Sequence, residues 1–277
     1  MNLPLVMGVV NVTPDSFSDG GRFLDAAAAL AHARRLIAEG ADMIDIGGES
    51  TRPGAEPVPE AEEIARVVPL IEQIHRESPV RISIDTMKPA VARAAVAAGA
   101  DLWNDVSALG WSADSPSVAA DLGCDVALMH MRGDPRTMQQ DPQYEDVVAE
   151  VGDFLATRAA AAMAAGVGRE KIWLDPGIGF GKDRGVGADA WPEHNLALLR
   201  HLDQLVASGF PILLGVSRKR FIRAIDDTAA SADDRLGGSL AAALWGVSRG
   251  AKALRVHDVR ETVQALKVWA AIEEGGR

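Results

Sequence analysis

The sequence predicts an α/β fold in which eight parallel strands and their helices form a (β/α)8 TIM barrel. Short apolar runs rich in Val, Ile and Leu alternate eight times with longer stretches of helical periodicity. The runs are apolar throughout, which is typical of strands buried on both faces of a parallel sheet. The length of 277 residues suits one such barrel, and a doubly wound open sheet is the structural alternative.

The predicted strands follow one another along the whole chain. They cover residues 5–10, 43–46, 81–85, 101–105, 125–130, 171–175, 211–215 and 251–256. Between them we predict eight helices in strict alternation, several of which end at a glycine before the next strand: Gly40, Gly99, Gly123 and Gly250. The helix predicted at residues 59–76 carries one apolar stripe, and Pro69 is expected to kink it or shift its start.

No linker or charge block divides the chain, so we predict a single domain over residues 1–277. Residues 183–193 interrupt the pattern because they are rich in Gly and Ala and have no periodicity. We interpret them as a long loop after the sixth strand, on the face where barrel active sites are built. A surface insertion is favoured there over a functional flap.

The composition limits the class of protein. A formal net charge of −11 argues against nucleic acid as a partner, because surfaces that bind it are usually basic. The first residues lack the basic segment of a signal peptide, and no apolar stretch reaches membrane-spanning length, so we expect no membrane partner. The single cysteine, Cys124, is expected to be buried and fits a reducing compartment, which predicts a cytoplasmic location.

Every predicted strand ends in a side chain that can form hydrogen bonds or carry charge. In chain order these are Asn11, Asp45, Asp85, Asn104 with Asp105, His130, Asp175, Lys219, and Arg255 with His257. Barrel enzymes build their active sites at these strand ends. The set therefore predicts a ligand-binding site at the carboxyl end of the barrel.

The candidate site residues divide into two chemical groups. The group that suits a flat heterocycle with amino and ring N–H donors consists of Asp85, Asn104, Asp175 and Lys219. The group that suits a phosphate or pyrophosphate with its Mg2+ consists of Asn11, Thr51, Arg52, Arg255 and His257. Gly47 and Gly48 are expected to let the backbone approach this anion closely.

Other patterns point away from common enzyme classes. DPGxGxGK at residues 175–182 lacks the spacing of a nucleotide-binding P-loop, and the chain contains no GxSxG sequence of a serine hydrolase. No spacing of His, Cys and Asp suggests zinc. His130, between two methionines, is expected to be a hydrogen-bonded core residue.

Nine segments of the chain, in order, closely resemble the motifs of the dihydropteroate synthase family. They are NVTPDSFSDGG (11–21), GGESTRPGA (47–55), SIDT (83–86), NDV (104–106), LMHM (128–131), LDPGIGFGK (174–182), GVSRK (215–219), GGSLAAA (237–243) and RVHDV (255–259). The resemblance covers essentially the whole chain. It implies a barrel transferase that condenses dihydropterin pyrophosphate with p-aminobenzoate to 7,8-dihydropteroate, with release of pyrophosphate.

The resemblance also implies roles for individual residues. The pterin site would consist of Asp85, Asn104, Asp175, Lys219, Gly179 and Gly215. The pyrophosphate site would consist of Asn11, which would also contact Mg2+, and of Thr51, Arg52, Arg255 and His257. The p-aminobenzoate site would consist of Phe17, Asp19, Thr51, Pro53, Phe180, Lys219 and Arg220. Catalytic roles fall to Asp85, Asp175, Lys219, Arg255 and His257, and a homodimer is expected because family members are generally homodimers.

Two features depart from the family pattern, and two other functions stay open. Arg220 occupies a position where the family commonly has Ser, so its guanidinium could pair with the p-aminobenzoate carboxylate or point away from it. Residues 183–193 are longer than the usual link. A pterin-dependent, corrinoid-type methyltransferase would not need Arg255 and His257, and a catalytically silent pterin-binding homologue should have lost loop or anion-site residues.

Overall fold

The computed structural model describes residues 3–12, 21–50, 56–133, 142–182 and 191–275, with side chains of residues 21–25 excepted. Five of the predicted site residues lie outside these ranges: Phe17, Asp19, Thr51, Arg52 and Pro53. Most of the predicted loop at 183–193 also lies outside them, since only residues 191–193 are described.

Eight parallel strands form the centre of the described structure. They are β1 (Leu5–Asn11), β2 (Met43–Gly47), β3 (Arg81–Asp85), β4 (Leu102–Asp105), β5 (Asp125–Met129), β6 (Ile172–Asp175), β7 (Leu213–Leu214) and β8 (Ala253–Val256). Their order is β6-β5-β4-β3-β2-β1-β8-β7. A single bridge from Leu174 to Ile212 connects the two ends of this sheet.

This strand order is that of a nearly closed barrel. Strands β1 to β5 each pair with the next strand in sequence, β7 pairs with β8, and β8 returns to pair with β1, with Leu5 opposite Ala253. A doubly wound sheet would reverse its strand order at a switch point, and this sheet has no such reversal in its described strands. The barrel prediction is confirmed, and the open-sheet alternative is wrong.

Ten α-helices surround the strands in the described ranges. They are α1 (Gly21–Ala38), α2 (Glu60–Glu77), α3 (Pro89–Ala97), α4 (Ser115–Leu122), α5 (Val147–Ala164), α6 (Glu193–Arg200), α7 (Leu202–Val206), α8 (Arg220–Ile225), α9 (Leu236–Ser248) and α10 (Val259–Glu273). The predicted strict alternation is therefore wrong after β6 and after β7. At His201 the backbone leaves helical geometry, with φ −109° and ψ 26°, and this separates α6 from α7. None of these helices is both long and apolar enough to cross a bilayer.

Helix α2 shows how the predicted apolar stripe packs. It runs through Pro69 without a shift of its start, and it buries Val67, Ile71 and Ile74 against the barrel. The predicted glycine ends are also found, since Gly40, Gly99, Gly123 and Gly250 all have positive φ. The short turns that follow them lead directly into the next strands.

The barrel interior is apolar toward the amino ends of the strands and polar toward their carboxyl ends. The apolar layer consists of Met7, Met43, Leu102, Ala127, Leu213 and Ala253, all buried. Successive side chains of a strand point to opposite faces, so residues two positions after members of this layer also face inward. In β2 this alternation places Asp45 above Met43 and Gly47 above Asp45. Strand periodicity thus brings polar groups to the carboxyl end of the barrel.

Candidate active site

Asp45 lies at the centre of the polar layer. Its side chain is fully buried, and Oδ1 accepts a hydrogen bond from Ser83 Oγ at 2.6 Å. Arg255 Nε donates to Asp45 Oδ2 at 2.6 Å, and Asn104 Nδ2 donates to the same atom at 3.3 Å. Asp45 therefore fixes the orientation of one amide and one guanidinium that the sequence analysis placed in the site. Its own role was missed, although its place two residues after Met43 indicated an inward side chain.

Asp85, at the end of β3, contacts the same guanidinium. Arg255 Nη2 donates to Asp85 Oδ2 at 2.8 Å. The other oxygen, Oδ1, is buried and has no hydrogen-bond partner in the part of the chain that the structure describes. Burial raises the pKa of Asp85 to about 7, although Arg255 opposes this change, and the nearby Asp45 charge adds to it. An unpaired buried acceptor of this kind is costly unless a ligand donates to it.

Asp175, at the end of β6, organises the loop that follows it. Its Oδ1 accepts a hydrogen bond from the backbone N–H of Gly177 at 2.7 Å. Burial raises the pKa of Asp175, while this hydrogen bond and the charge of Lys219 lower it. Gly177 has φ +66°, and a Cβ there would collide with the carbonyl oxygen of His130. Only glycine therefore allows the loop to fold back against β5 at this point.

Lys219 and Phe180 form the side of the site nearest to solvent. The Nζ atom of Lys219 lies 4.0 Å from the centre of the Phe180 ring. Gly179 approaches closely as well, since a Cβ there would lie 3.1 Å from Lys219 Cδ. A cation over an aromatic face is attracted by the ring quadrupole. This pair therefore offers one flat apolar face beside one positive charge.

One cavity joins these groups. About 360 Å³ lies between its walls, and this volume includes space that is open to solvent. Among the predicted residues, its walls contain Asp85, Asn104, Asp175, Phe180, Gly215, Lys219 and Arg255. Val106, Met129 and Ile178 supply apolar surface. The structure therefore brings the predicted heterocycle residues together in a single cavity.

His257 and Ser217 stand at the ends of β8 and β7. Ser217 Oγ lies 3.0 Å from His257 Nδ1, and it accepts a hydrogen bond from the backbone N–H of His257 at 3.2 Å. Burial, with the charges of Arg255 and Arg218, lowers the pKa of His257 to about 3. The imidazole is therefore neutral near pH 7. It can still donate one hydrogen bond to an anion, but it brings no charge of its own.

Arg218 connects the loops after β7 and β8. Its Nε and Nη2 atoms donate to Asp258 at 3.0 and 2.6 Å. Arg218 has φ +60°, an unusual value for a residue with a side chain. The two hydrogen bonds offset this strain and orient the neighbouring Lys219 backbone. Arg220 follows as the first residue of α8, and it is exposed and lies outside the cavity walls.

The two glycines after β2 have different roles. A Cβ on Gly47 would lie 3.5 Å from Asn11 Oδ1 and 3.6 Å from Asp85 Cβ, so Gly47 faces the site next to Asn11. A Cβ on Gly48 would lie 2.8 Å from Glu63 and from Val67 on α2. Close packing against α2 accounts for Gly48. The presence of glycine at position 48 is therefore explained by packing, without the expected close approach of an anion.

His130 lies behind the cavity and is a core residue, as predicted. It is 5% exposed, and its Nδ1 atom lies 2.8 Å from the Nζ of Lys182. Cys124 is buried as well. Within the described ranges, no cluster of three His, Cys, Asp or Glu side chains could hold a metal ion.

The chain is similar to proteins of known function. Residues 7–257 match the family model described as pterin binding enzyme. A dihydropteroate synthase of Neisseria meningitidis serogroup B is 47% identical over 275 residues, which cover 98% of this chain and 94% of that protein.

Solved structures agree with this likeness. The dihydropteroate synthase of Xanthomonas albilineans with 4-aminobenzoic acid has a TM-score of 0.89 and 49% identity, and the match covers 98% of this chain and 94% of that one. The complex of Xanthomonas albilineans dihydropteroate synthase with 7,8-dihydropteroate has a TM-score of 0.86 and 46% identity, with the same coverage of both chains.

Proposed function

This chain belongs to the dihydropteroate synthase family of pterin-binding enzymes, and from that premise we propose that it joins a dihydropterin pyrophosphate to p-aminobenzoate. The products are 7,8-dihydropteroate and pyrophosphate. One observation carries the proposal: a single cavity pairs the buried carboxylates Asp85 and Asp175 with the cations Lys219 and Arg255. Such a cavity can accept hydrogen bonds from a flat heterocycle at its base and attract an anion at its mouth.

The pterin is proposed to lie between Asp85, Asn104 and Asp175. Asp85 Oδ1 is buried and has no hydrogen-bond partner among the described residues, and the ring amino and N–H groups of a pterin would supply a donor. Asn104 is held by Asp45 through its Nδ2 atom, so its amide oxygen is left to accept from the ligand. The absence of a side chain on Gly215 leaves room above Arg255 and Asp175, since a Cβ there would lie 3.9 and 4.0 Å from them.

The p-aminobenzoate ring is proposed to stack beside Phe180, near Lys219. Support comes from the cation–π contact of these two residues at the open side of the cavity. Arg220 is exposed at the start of α8, next to Lys219 in the chain. We propose that its guanidinium pairs with the aryl carboxylate, in place of the serine that the family commonly has. Phe17, Asp19, Thr51 and Pro53 are proposed to complete this side.

The pyrophosphate is proposed to bind at Asn11, Arg255 and His257, with Thr51 and Arg52. The Asn11 amide oxygen faces the site beside Gly47. Mg2+ prefers oxygen ligands and is usually bound by one or two protein oxygens together with phosphate oxygens of a substrate, so Asn11 is a suitable ligand for Mg2+ bound to the pyrophosphate. When bound, Mg2+ would neutralise negative charge on the leaving pyrophosphate. The proposal for Mg2+ therefore requires only Asn11 from the described residues.

The proposed reaction breaks the C–O bond at the exocyclic methylene of the pterin. Negative charge grows on the leaving oxygen, where Arg255 stabilises it and His257 donates a hydrogen bond. Positive charge grows on the pterin, and the carboxylates of Asp85 and Asp175 stabilise it across the ring. The amine of p-aminobenzoate then attacks the methylene carbon and loses a proton to water. No side chain needs to act as the nucleophile.

Incubation with dihydropterin pyrophosphate, Mg2+ and p-aminobenzoate tests the proposal. We expect pyrophosphate release in equal amount to dihydropteroate. Asp175→Asn is the matched control, because it keeps the side-chain shape and removes the charge. Binding of the pterin without turnover would instead support the silent homologue. Methyl transfer from a folate, without either product, would support the corrinoid-type methyltransferase.

A homodimer in the cytoplasm is proposed as the working form. Support comes from an exposed apolar groove between α9 and α10, lined by Leu240, Leu244, Val268, Trp269 and Ile272. Ile272 is 72% exposed, and a second copy of the chain would cover it. Ile272→Glu should convert dimer to monomer in sedimentation experiments, whereas Trp111→Glu, at an exposed apolar residue elsewhere, should not. The cytoplasm is proposed because the one cysteine is unpaired and buried.

A further inference from the structure

The loop of residues 176–182 is folded around a buried ammonium group. Lys182 has no exposed surface, although a lysine is rarely buried completely. Its Nζ atom donates to the carbonyl oxygens of Phe180 at 2.8 Å and Gly177 at 3.2 Å. The same atom lies 2.8 Å from His130 Nδ1. The loop therefore folds back on itself, and the side chain of its last residue, Lys182, binds carbonyl oxygens of residues earlier in the same loop.

His130 is suited to this contact because its imidazole is neutral. Burial, followed by the charge of Lys182, lowers the pKa of His130 to about 3. A neutral imidazole has one nitrogen that accepts a hydrogen bond, and Nδ1 faces the ammonium. The ring also packs edge-on against Phe154, at 4.9 Å between ring centres. His130 thus anchors Lys182 to β5 and α5.

Three further side chains fix the same loop from outside. Tyr144 Oη donates to the carbonyl oxygen of Gly181 at 2.7 Å. Asn195 Oδ1 accepts from the backbone N–H of Gly179 at 2.7 Å, and His194 Nδ1 lies 3.1 Å from the carbonyl oxygen of Lys182. These contacts hold the ends and the outer edge of the loop. The interior contacts to Gly177 and Phe180 are the ones that Lys182 makes.

Phe180 is the residue whose position depends most directly on Lys182. Its carbonyl oxygen binds Nζ, and its backbone N–H donates to Gly177 O at 3.0 Å. Lys182 therefore binds the carbonyl oxygens of the first and last residues of this turn. This turn positions the Phe180 ring 4.0 Å from Lys219 Nζ. Asp85 and Asn104 belong to other strands and do not depend on the loop.

We propose that Lys182 is a positioning residue for the arylamine substrate: its buried ammonium holds the turn that places Phe180 against Lys219. The inference rests on the proposed synthase function for its kinetic consequence, but its structural part does not. Lys182 does not touch the cavity. Its effect on the reaction passes through Phe180.

The kinetic test is a double-mutant cycle between Lys182→Met and Phe180→Ala. Each single change should raise KM for p-aminobenzoate about tenfold, the loss expected for one charge-assisted hydrogen bond or one aromatic contact. The dissociation constant of the pterin should change less than about threefold, since its main contacts lie on other strands. The double variant should resemble the single variants, because both remove the same contact. Multiplication of the two effects would overturn the proposal.

Two controls separate positioning from general destabilisation. Leu155→Ala removes a fully buried side chain from α5 and should lower stability without raising KM for p-aminobenzoate. Lys252→Met removes an exposed lysine and should change neither the stability nor the KM for p-aminobenzoate. If Lys182→Met does not fold, His130→Phe removes one acceptor of Nζ and keeps a ring. It should raise the same KM about threefold, as for a partial loss of one such hydrogen bond.

Amide hydrogen exchange tests the structural part independently of any activity. In Lys182→Met the amides of Gly179 and Phe180 should exchange at least about tenfold faster, because the turn that protects them opens locally. Amides of β3 should be unchanged. If the wild type showed no synthase activity, the proposed function would fail while this measurement still decided the role of Lys182. Unchanged exchange in a folded variant would refute that role.

Discussion

Arg255 Nε donates to Asp45 Oδ2 at 2.6 Å, and this ion pair connects a residue of the cavity wall, Arg255, to a fully buried acid inside the barrel. The second arm of the guanidinium pairs with Asp85 at 2.8 Å. Arg255 therefore neutralises two acids that would otherwise repel each other. The motif resemblance assigned Arg255 to the pyrophosphate site and to catalysis, and the described structure also makes it the partner of Asp85, the carboxylate that is proposed to bind the pterin.

The Asp45–Arg255 pair leads to a prediction about stability. Asp45→Asn keeps the shape of the side chain but leaves Arg255 with one fewer buried counter-charge. We expect a loss of about 3 kcal/mol in the free energy of unfolding, since breaking a buried ion pair typically costs about 3–5 kcal/mol. Urea denaturation measures it. Ser83→Ala, which removes only the hydrogen bond of Ser83 to Asp45, should cost about 1 kcal/mol. Equal losses in the two variants would contradict this account.

The sequence predicted most of the barrel because two periodicities decide it. Strands apolar on both faces need helices outside them, and eight such units close into a barrel. The barrel brings the carboxyl ends of its strands together, so the proximity of Asp85 and Asp175 could be predicted without any side-chain contact being known. The resemblance to a family added their roles.

Other features depend on tertiary contacts that no local pattern encodes. The break at His201 between α6 and α7 follows backbone geometry inside an otherwise helical stretch. Gly48 resembles a ligand-facing glycine in sequence, yet it is explained by the close approach of α2. Lys182 ends a glycine-rich segment and has no role assigned from the sequence, and its ammonium faces inward to carbonyl groups. Sequence position cannot distinguish these cases, because each depends on a partner distant in the chain.

The raised pKa of Asp85 predicts that pterin binding depends on pH. Burial raises this pKa to about 7, so the carboxylate that is proposed to accept hydrogen bonds from the pterin is progressively protonated below pH 7. Pterin affinity in calorimetry should fall between pH 7 and pH 5, by up to about tenfold per pH unit. In Asp85→Asn this dependence should disappear. In Asp105→Asn it should remain, although burial raises the pKa of Asp105 to about 6. A slope that survives in Asp85→Asn would assign the titration to another group.

Protein stability should respond to Asp85 in the opposite direction. A carboxyl whose pKa is raised by folding binds its proton more tightly in the native state. Its contribution is complete below pH 4 and is lost as pH rises to about 7. The buried His130 and His257, whose pKa values burial lowers to about 3, oppose this between pH 3 and 6.5. Binding affinity is therefore the measurement that isolates Asp85.

Lys219→Ala should weaken both substrates. Lys219 lies over Phe180 on the proposed arylamine side, and its charge stabilises Asp175 on the pterin side. We expect KM for each substrate to rise about tenfold or more, the loss of a charge-assisted contact. Lys219→Met restores the apolar stem and should recover part of the p-aminobenzoate effect only. Steady-state kinetics with each substrate varied in turn measures this, and normal KM values for both would show that Lys219 does not lie between the two sites.

Lys88→Met should destabilise the protein through one buried and one partly buried carboxylate. Lys88 Nζ pairs with Glu49 at 2.6 Å and with Glu63 at 2.7 Å, and Glu63 is fully buried. Removal of the cation leaves both acids without this counter-charge, at a cost of about 3–5 kcal/mol in unfolding free energy at pH 8. Burial already raises the pKa of Glu63, so protonation should reduce this cost at pH 5. Chemical denaturation at the two pH values measures it, with exposed Lys252→Met as control. A pH-independent loss would rule out an electrostatic origin.

Arg220→Ala tests how the carboxylate of p-aminobenzoate is held. Arg220 is exposed at the start of α8. It adds positive charge near Arg235, since burial, together with the charges of Arg223 and Arg220, lowers the pKa of Arg235. Without Arg220, KM for p-aminobenzoate should rise about tenfold. KM for the neutral p-aminobenzamide should stay the same, because that substrate has no charge to lose. Arg223→Ala, three residues further along α8, should change neither value. If Arg220→Ala left KM for the acid unchanged, other groups would hold the carboxylate, and the proposed role of Arg220 would be wrong.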